Sequence, residues 1–412
     1  MGDFIEVNAD LHLHGLYSGG VSSSMIPRTL AEQAPLKGID VLGTSDILNA
    51  RWIKLVKEQL KPAEGGLLEH DNGTKFMLQT EIEDSNRIHH ILYFPGFSKV
   101  EEIREKFSSK CKNLDSDGRP KIWLSGEEIT EICMEAGCMV GFAHAFTPYF
   151  GMFGKYDSYK DCYGSQWKNI HFMELGLSAD TGMADRISEL HDLTFLSNSD
   201  AHSPWPNKMG REFNRLKLRE LSYGEIEMAI KRENGRKCAL NVGFNPLEGK
   251  YHKTRCRGCL TFFEPSQASS FSWKCPSCGN SIKKGVDFRI EELSDTEPGK
   301  HPEHRPPYRH IIPLSEIISL AIGIKSAYSQ KVQDKWKEFM DAHGSEAKVL
   351  LETGIPELSE TDAKIAEYID HFRKDKISYM PGGAGVYGKL LQPGKTANIK
   401  KYSGEQKSLS QF

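Results

Sequence analysis

His12 and His14 close the run FIEVNADLHLH, residues 4–14. Alternate residues of a strand face the same side, so both imidazoles can meet at one point. A lone His-x-His pair is more often a surface feature, but the first 202 residues repeat the device. Strand-like runs lead into Asp46, Glu81, His144, and Asp200 with His202, and residues 88–94 carry His89 and His90. These two neighbours compete for one position, and the apolar continuation Ile91, Leu92 and Phe94 favours His90. The expected metal ligands are therefore His12, His14, Asp46, Glu81, His90, His144, Asp200 and His202. Histidine mixed with carboxylate suits Zn²⁺, Mn²⁺ or Fe²⁺, with all-oxygen sites suiting Mg²⁺. Two or three divalent cations sharing Glu81 or Asp200 would neutralise a phosphodiester and lower the pKa of a water, so phosphoester hydrolysis is the chemistry expected. Glu81, His144, Asp200 and His202 are the expected catalytic residues. Glu174 ends a further apolar run and is expected to orient a ligand or touch substrate; Asp180 and Arg186 are lesser candidates.

Parallel strands that each deliver a polar residue at the carboxyl end describe the active rim of a β/α barrel. Pro27–Ala34 and Arg51–Leu60 read as its returning helices, with Pro27 suited to a first turn. Ser125 to Glu128 and Ser222 to Glu225 are capping-box signatures that open two more helices. Residues 146–169, aromatic and glycine-rich without clear periodicity, read as a long insertion forming a wall over the site. The barrel is expected over residues 1–240.

Cys256-Arg-Gly-Cys259 and Cys275-Pro-Ser-Cys278 have the spacing of a four-thiolate zinc site, expected to be structural because no position is left open for water. This module is placed at 245–293. With nine cysteines in all, four of them so paired, the pattern speaks for a reducing compartment, the cytoplasm, rather than for disulfides. Residues 294–310 read as a linker in which His301, His304 and His310 are solvated. Amphipathic helices follow, for example through Ile317, Ile318, Ala321, Ile322 and Ile324. The run from Pro381 to Gly388 reads either as a flexible turn or as a backbone cradle for phosphate. No apolar run is long enough to span a membrane and no signal-peptide pattern is present.

In their order, Asp-Leu-His12-Leu-His14, Thr-Glu81-Ile, His90-Ile-Leu, Phe-Ala-His144 and Ser-Asp200-Ala-His202 resemble the motifs of the polymerase and histidinol phosphatase (PHP) family. The resemblance covers about the first 240 residues and implies an α/β fold, a distorted (β/α)7 barrel with a trinuclear metal centre. One departure stands out: where many members have Thr-Asp-His, this chain has Thr44-Ser45-Asp46. The order of modules, barrel then four-cysteine module then helical, glycine-rich and basic end, is similar to a DNA-repair branch of that family. This implies cleavage 5′ of a deaminated base (uracil, hypoxanthine or xanthine) or of an abasic site, leaving 3′-hydroxyl and 5′-phosphate. Damaged DNA is then the expected partner of the helical region 311–390.

The formal net charge of −3 offers no global attraction to nucleic acid, but residues 373–407 carry eight Lys/Arg against Asp375 and Glu405. Within the basic tail 391–412, Gln406, Leu409 and Phe412 resemble a sliding-clamp docking peptide. Two other functions compete. A phosphatase for a small phosphate ester would leave the four-cysteine module and tail without purpose, and a non-catalytic zinc-ribbon adaptor would need missing ligands.

Overall fold

The computed structural model describes residues 3–392 and 394–403. Ten strands of its main sheet position the rim residues: β1 (Ile5–Asp10), β2 (Val41–Asp46), β3 (Lys75–Glu83), β4 (His89–Phe94), β5 (Met139–Phe142), β6 (Phe172–Glu174), β7 (Thr194–Leu196), β8 (Phe213–Leu218), β9 (Lys237–Gly243) and β10 (Tyr308–His310). Their spatial order is β10-β9-β8-β1-β2-β3-β4-β5-β6-β7. Leu13, just past β1, bridges Ala201, just past β7, so the sheet curls back towards its start. Apolar side chains fill both of its faces, as the near-continuous hydrophobic strands require.

The expected α/β class holds, with a change of strand direction inside it. β1, β2 and β3 pair in parallel, as do β5, β6 and β7, but β4 is antiparallel to both of its neighbours. The link from β3 to β4 is a tight turn rather than a helical crossover, which is the geometry antiparallel pairing permits. The rim-side end of β4 is therefore its first residue.

Helices lie where their caps predict. Asn49 accepts hydrogen bonds from the backbone of Arg51 and Trp52 to open Ala50–Gln59, and the Ser125 box closes reciprocally with Glu128 at the start of Gly126–Glu135. Two stretches differ from expectation. Residues 146–169 are not a loose wall: Met152, Phe153, Tyr159 and Tyr163 are buried core, and only the first part of the segment reaches the cleft. Residues 294–310 are not a linker. Arg305 is buried against Asp185 and donates to the carbonyls of Leu193 and Leu190, while Tyr308–His310 extends the sheet beside β9. His301 meets Asp185 and His310 meets Asp180, so neither is simply solvated. Polar composition mimics a linker here because the segment is anchored by ion pairs rather than apolar contacts.

Beyond the barrel, Cys256 and Cys275 sit in a small core with Phe263, Ala268 and Ile282. Residues 401 and 402 return to this module: Phe262 pairs with Lys401, and Tyr402 stacks on Phe263. Helices Leu314–Ile322, Gln330–His343, Glu346–Leu351 and Ile355–Arg373 form a bundle against the barrel. Lys37 joins the two, with Nζ 2.6 Å from Glu346 Oε1 in a buried pair. No helix among the described residues is long and apolar enough to cross a membrane.

Candidate metal centre

Three groups of ligand atoms meet at the rim: His12, His14 and Glu81; His14, Asp200 and His202; Glu81, His89 and His144. Glu81 and His14 each belong to two groups. His14 Nε2 lies 3.3 Å from Glu81 Oε2 and 3.1 Å from Asp200 Oδ1. On the other side Glu81 Oε1 is 2.9 Å from His89 Nδ1 and 3.0 Å from His144 Nε2. His202 approaches Asp200 at 3.7 Å from the more exposed edge.

These atoms fit divalent cations. His12 Nε2 and His14 Nε2 are buried without a hydrogen-bond partner, a costly state unless something electropositive faces them. His12 Nδ1 is held at 2.9 Å by Glu174, which fixes the ring with Nε2 towards Glu81 and Asp200. Burial alone would depress the charged form of His12, but Glu174 and then Glu81 and Asp200 outweigh it and push its pKa up to about 9. Burial likewise opposes ionisation of Glu81, and His89, His14 and His144 reverse that, holding its carboxyl well below the usual range. A field this strongly negative at buried nitrogens attracts a cation as it attracts a proton.

Backbone shape contributes. His144 and Asp200 have φ of 28° and 46°, in the left-handed region that side chains with Cβ rarely adopt. Asp10 secures the second of these turns by accepting from Ser199 N and Gly210 N at 2.9 and 3.0 Å. Asn198 donates to Glu174 and accepts from Leu11 N, tying the β7 end to β1.

Two of the eight expected ligands lie elsewhere. His90 points to the opposite face of β4, where Nδ1 meets Tyr163 Oη at 2.8 Å and Nε2 meets Asp84 Oδ2 at 3.2 Å. The rim position belongs to His89, which pairs with Glu83 across the ladder. Side chains alternate, so one face carries Glu81, Glu83 and His89, and the other Ile82 and His90. Asp46 stands behind His14: its Oδ1 is 3.4 Å from His14 Nδ1, and its Oδ2 accepts from Gly15 N and Ser18 Oγ. It orients a ligand and belongs to none of the three groups. Asp180 caps a short helix and pairs with His310, and Arg186 lies outside the cleft.

The centre opens into a cleft of about 490 Å³. Arg119, which no sequence pattern marks, reaches Glu81 Oε2 at 3.2 Å and lines this cleft with Lys208, Arg211 and Lys250. Phe150 stacks on His89 with centroids 4.5 Å apart. Tyr149 and Tyr387 stand exposed at the mouth. Tyr387 comes from the glycine-rich run. A Cβ on Gly382 would lie 2.3 Å from Gly249 O and one on Gly388 2.2 Å from Leu247 O, so these glycines let two backbones touch.

The four module thiols also converge, Cys256 Sγ to Cys278 Sγ at 3.4 Å and Cys259 Sγ to Cys275 Sγ at 3.6 Å. Tetrahedral coordination with metal–sulfur bonds of about 2.3 Å separates sulfurs by slightly more than this, so the set fits one ion.

A family model for the MJ0043 C-terminal domain matches residues 313–376. The uncharacterised protein MJ0043 of Methanocaldococcus jannaschii is 49% identical over 254 residues, 60% of this chain; the chain spans only 31% of that relative's length. The uncharacterised protein YqxK of Bacillus subtilis is 32% identical over 408 residues, 93% of this chain and 99% of YqxK. The crystal structure of the lesion-specific endonuclease PfuEndoQ from Pyrococcus furiosus superposes with a TM-score of 0.91 at 44% identity, covering 95% of this chain and 96% of that one. A second structure, endonuclease Q with a 27-mer duplex substrate carrying an abasic lesion at the active site, gives a TM-score of 0.89 at 44% identity, covering 95% and 97%.

Proposed function

The chain belongs to the endonuclease Q family, and from that premise we propose that it is a metal-dependent DNA endonuclease that cuts at lesions, 5′ of a deaminated base or abasic site. The observation that carries this is the sharing of Glu81 and His14 among three ligand groups at the floor of one cation-lined cleft. Divalent cations held by His12, His14, Glu81, His89, His144, Asp200 and His202 would neutralise the scissile phosphate and lower the pKa of a water beside it.

The chain's own residues do the rest. Glu174 and Asp46 fix the rings of His12 and His14, so the ligand nitrogens are set before substrate arrives. Arg119, Lys208 and Lys250 line the cleft as cations for the phosphates flanking the cut. Phe150 covers His89 and keeps water from that side of the centre. Exposed Tyr149, Trp205 and Tyr387 offer ring faces at the surface to unstacked bases.

The four cysteines hold structural zinc, and their module, the helical region and the basic tail grip duplex backbone beside the barrel. Gln406, Leu409 and Phe412 lie outside the described residues; they are proposed to dock on a sliding clamp. Truncation before Gln406 then removes clamp stimulation while bare nicking persists, and unchanged clamp binding by the truncated chain would refute that assignment.

The test is incubation with Mn²⁺ or Mg²⁺ and duplexes holding one deoxyuridine, deoxyinosine or abasic site. A single nick directly 5′ of the lesion, with 3′-hydroxyl and 5′-phosphate ends, is expected. Hydrolysis of a small phosphomonoester alone, with every duplex intact, would overturn the assignment.

A further inference from the structure

Lys37 is the last residue of helix Pro27–Lys37 and is buried. Its Nζ lies 2.6 Å from Glu346 Oε1 and donates to the Pro206 carbonyl at 2.5 Å. Glu346 opens helix Glu346–Leu351, and its carboxylate gathers two further bundle helices by accepting from Leu314 N at 3.0 Å and Trp336 Nε1 at 2.7 Å. Three bundle helices thus converge on one ammonium of the barrel, and that ammonium holds one barrel carbonyl.

That carbonyl belongs to the loop after β7, four residues past His202. The Trp205 carbonyl accepts from Lys208 N and Met209 N, which makes Pro206 part of a closed turn. Gly210 follows with φ of 62°, and a Cβ there would lie 3.3 Å from Lys37 Cε, so the lysine stem runs close along the loop. His202 is the rim ligand most in need of such support. Glu174 holds the ring of His12 and Asp46 that of His14, and both rings are fully buried. The His202 side chain is 39% exposed, and Asp200 approaches it only to 3.7 Å, outside hydrogen-bond reach.

Stability does not account for the Lys37–Glu346 pair. Two charges taken out of water lose hydration that their attraction offsets only in part, and well-packed apolar side chains often serve such a position as well or better. What an apolar pair could not supply is the third partner, because an ammonium bonds the carboxylate and the Pro206 carbonyl together. We propose that Lys37 is a positioning residue of the metal centre: it transmits the seating of the helical bundle to the loop of His202, and so completes the outer ligand group of His14, Asp200 and His202. The bundle then supports the centre as well as gripping DNA. The assignment rests on the reading of the rim as a divalent-cation centre, and its tests need no DNA. A chain that binds Mn²⁺ at the rim yet cuts no duplex would therefore defeat the nuclease function alone.

The test is calorimetric titration of Mn²⁺ into the full chain, as wild type, Lys37→Met, His202→Ala and Arg215→Met. Loss of a binding step in His202→Ala identifies the outer group. Lys37→Met keeps the stem and removes the ammonium, while Glu346 keeps its bonds from Leu314 and Trp336 at a helix N-terminus that favours its charge. This variant is expected to weaken the outer step by about tenfold or more and to leave tighter steps unchanged. Arg215→Met cuts a different barrel–bundle pair, Arg215 Nη2 to Glu352 Oε1 at 2.6 Å, and is expected to leave every step unchanged. An unaltered outer step in Lys37→Met, or equal weakening in Arg215→Met, would overturn the assignment. A second measurement needs no variant. Linkage is reciprocal, so saturating Mn²⁺ is expected to slow hydrogen exchange at the Leu314 amide and Trp336 indole of wild type by a similar factor. Exchange indifferent to Mn²⁺ would overturn the role even if Lys37→Met fails to fold.

Discussion

The Glu174 carboxylate brackets His12 Nδ1 with both oxygens, at 3.0 and 2.9 Å, and the same side chain accepts from His144 N at 3.1 Å. One carboxylate at the end of β6 therefore sets two rim positions, holding His12 by its ring and His144 by its backbone N–H. Glu174→Ala is expected to weaken metal binding by roughly 10–100-fold while leaving the ligands themselves in place. Titration of Mn²⁺ by calorimetry checks this, and unchanged affinity would remove Glu174 from the design of the centre.

His89 and His90 separate cleanly by experiment. His89→Ala removes a rim ligand and is expected to reduce nicking by more than about 100-fold, beyond the usual loss for an outer partner, with little change in Tm. His90→Ala breaks the contacts to Tyr163 and Asp84 and opens a cavity among buried side chains. It is expected to cost about 3 kcal/mol of stability and to retain activity within a few-fold once folded. Denaturant melts and nicking rates on both variants decide the matter, and the reversed pattern would return His90 to the rim.

Glu212 gives a pH signature away from the metal ligands. It is buried behind Gly243, accepts from Phe244 N at 2.9 Å, and burial raises its carboxyl to about 8. Because the folded value lies above the unfolded one, the folded state holds this proton more tightly. The stabilisation is complete below about pH 4.5 and is lost as pH rises towards 8. The loss is on the order of 4 kcal/mol by pH 8 if the group must ionise in place. Glu212→Gln is expected to flatten the stability profile between pH 5 and 8, measured by urea melts. A variant profile parallel to wild type would assign the slope elsewhere.

The thiolate module is too small to fold on apolar burial alone, with Phe263, Ala268 and Ile282 beside Cys256 and Cys275 at its centre. Cys275→Ser is expected to lose the module's ion by elemental analysis and to open residues 257–280 to limited proteolysis. Barrel unfolding should persist as a separate transition. Retention of the metal and of protease resistance would show that the four thiols are not its ligands.

Ligand chemistry and its order were legible along the chain because His-x-His, Glu and Asp-x-His signals are local in sequence. The four-cysteine spacing was legible for the same reason, since each pair of thiols sits on one turn. Strand direction was not. The sequence around His89 and His90 reads equally well for a parallel strand ending in a ligand and an antiparallel strand beginning with one. Pairing with β3 and β5, settled by the whole sheet, chooses the second and moves the rim position by one residue. Asp46 has a ligand's chemistry but faces His14 from behind, a matter of side-chain direction that composition does not encode. Arg119 is further from reach. It meets Glu81 from 38 residues along the chain, and only chain packing makes such segments neighbours. Local pattern fixes which groups are available, and the non-local burial that drives collapse determines which of them face one another.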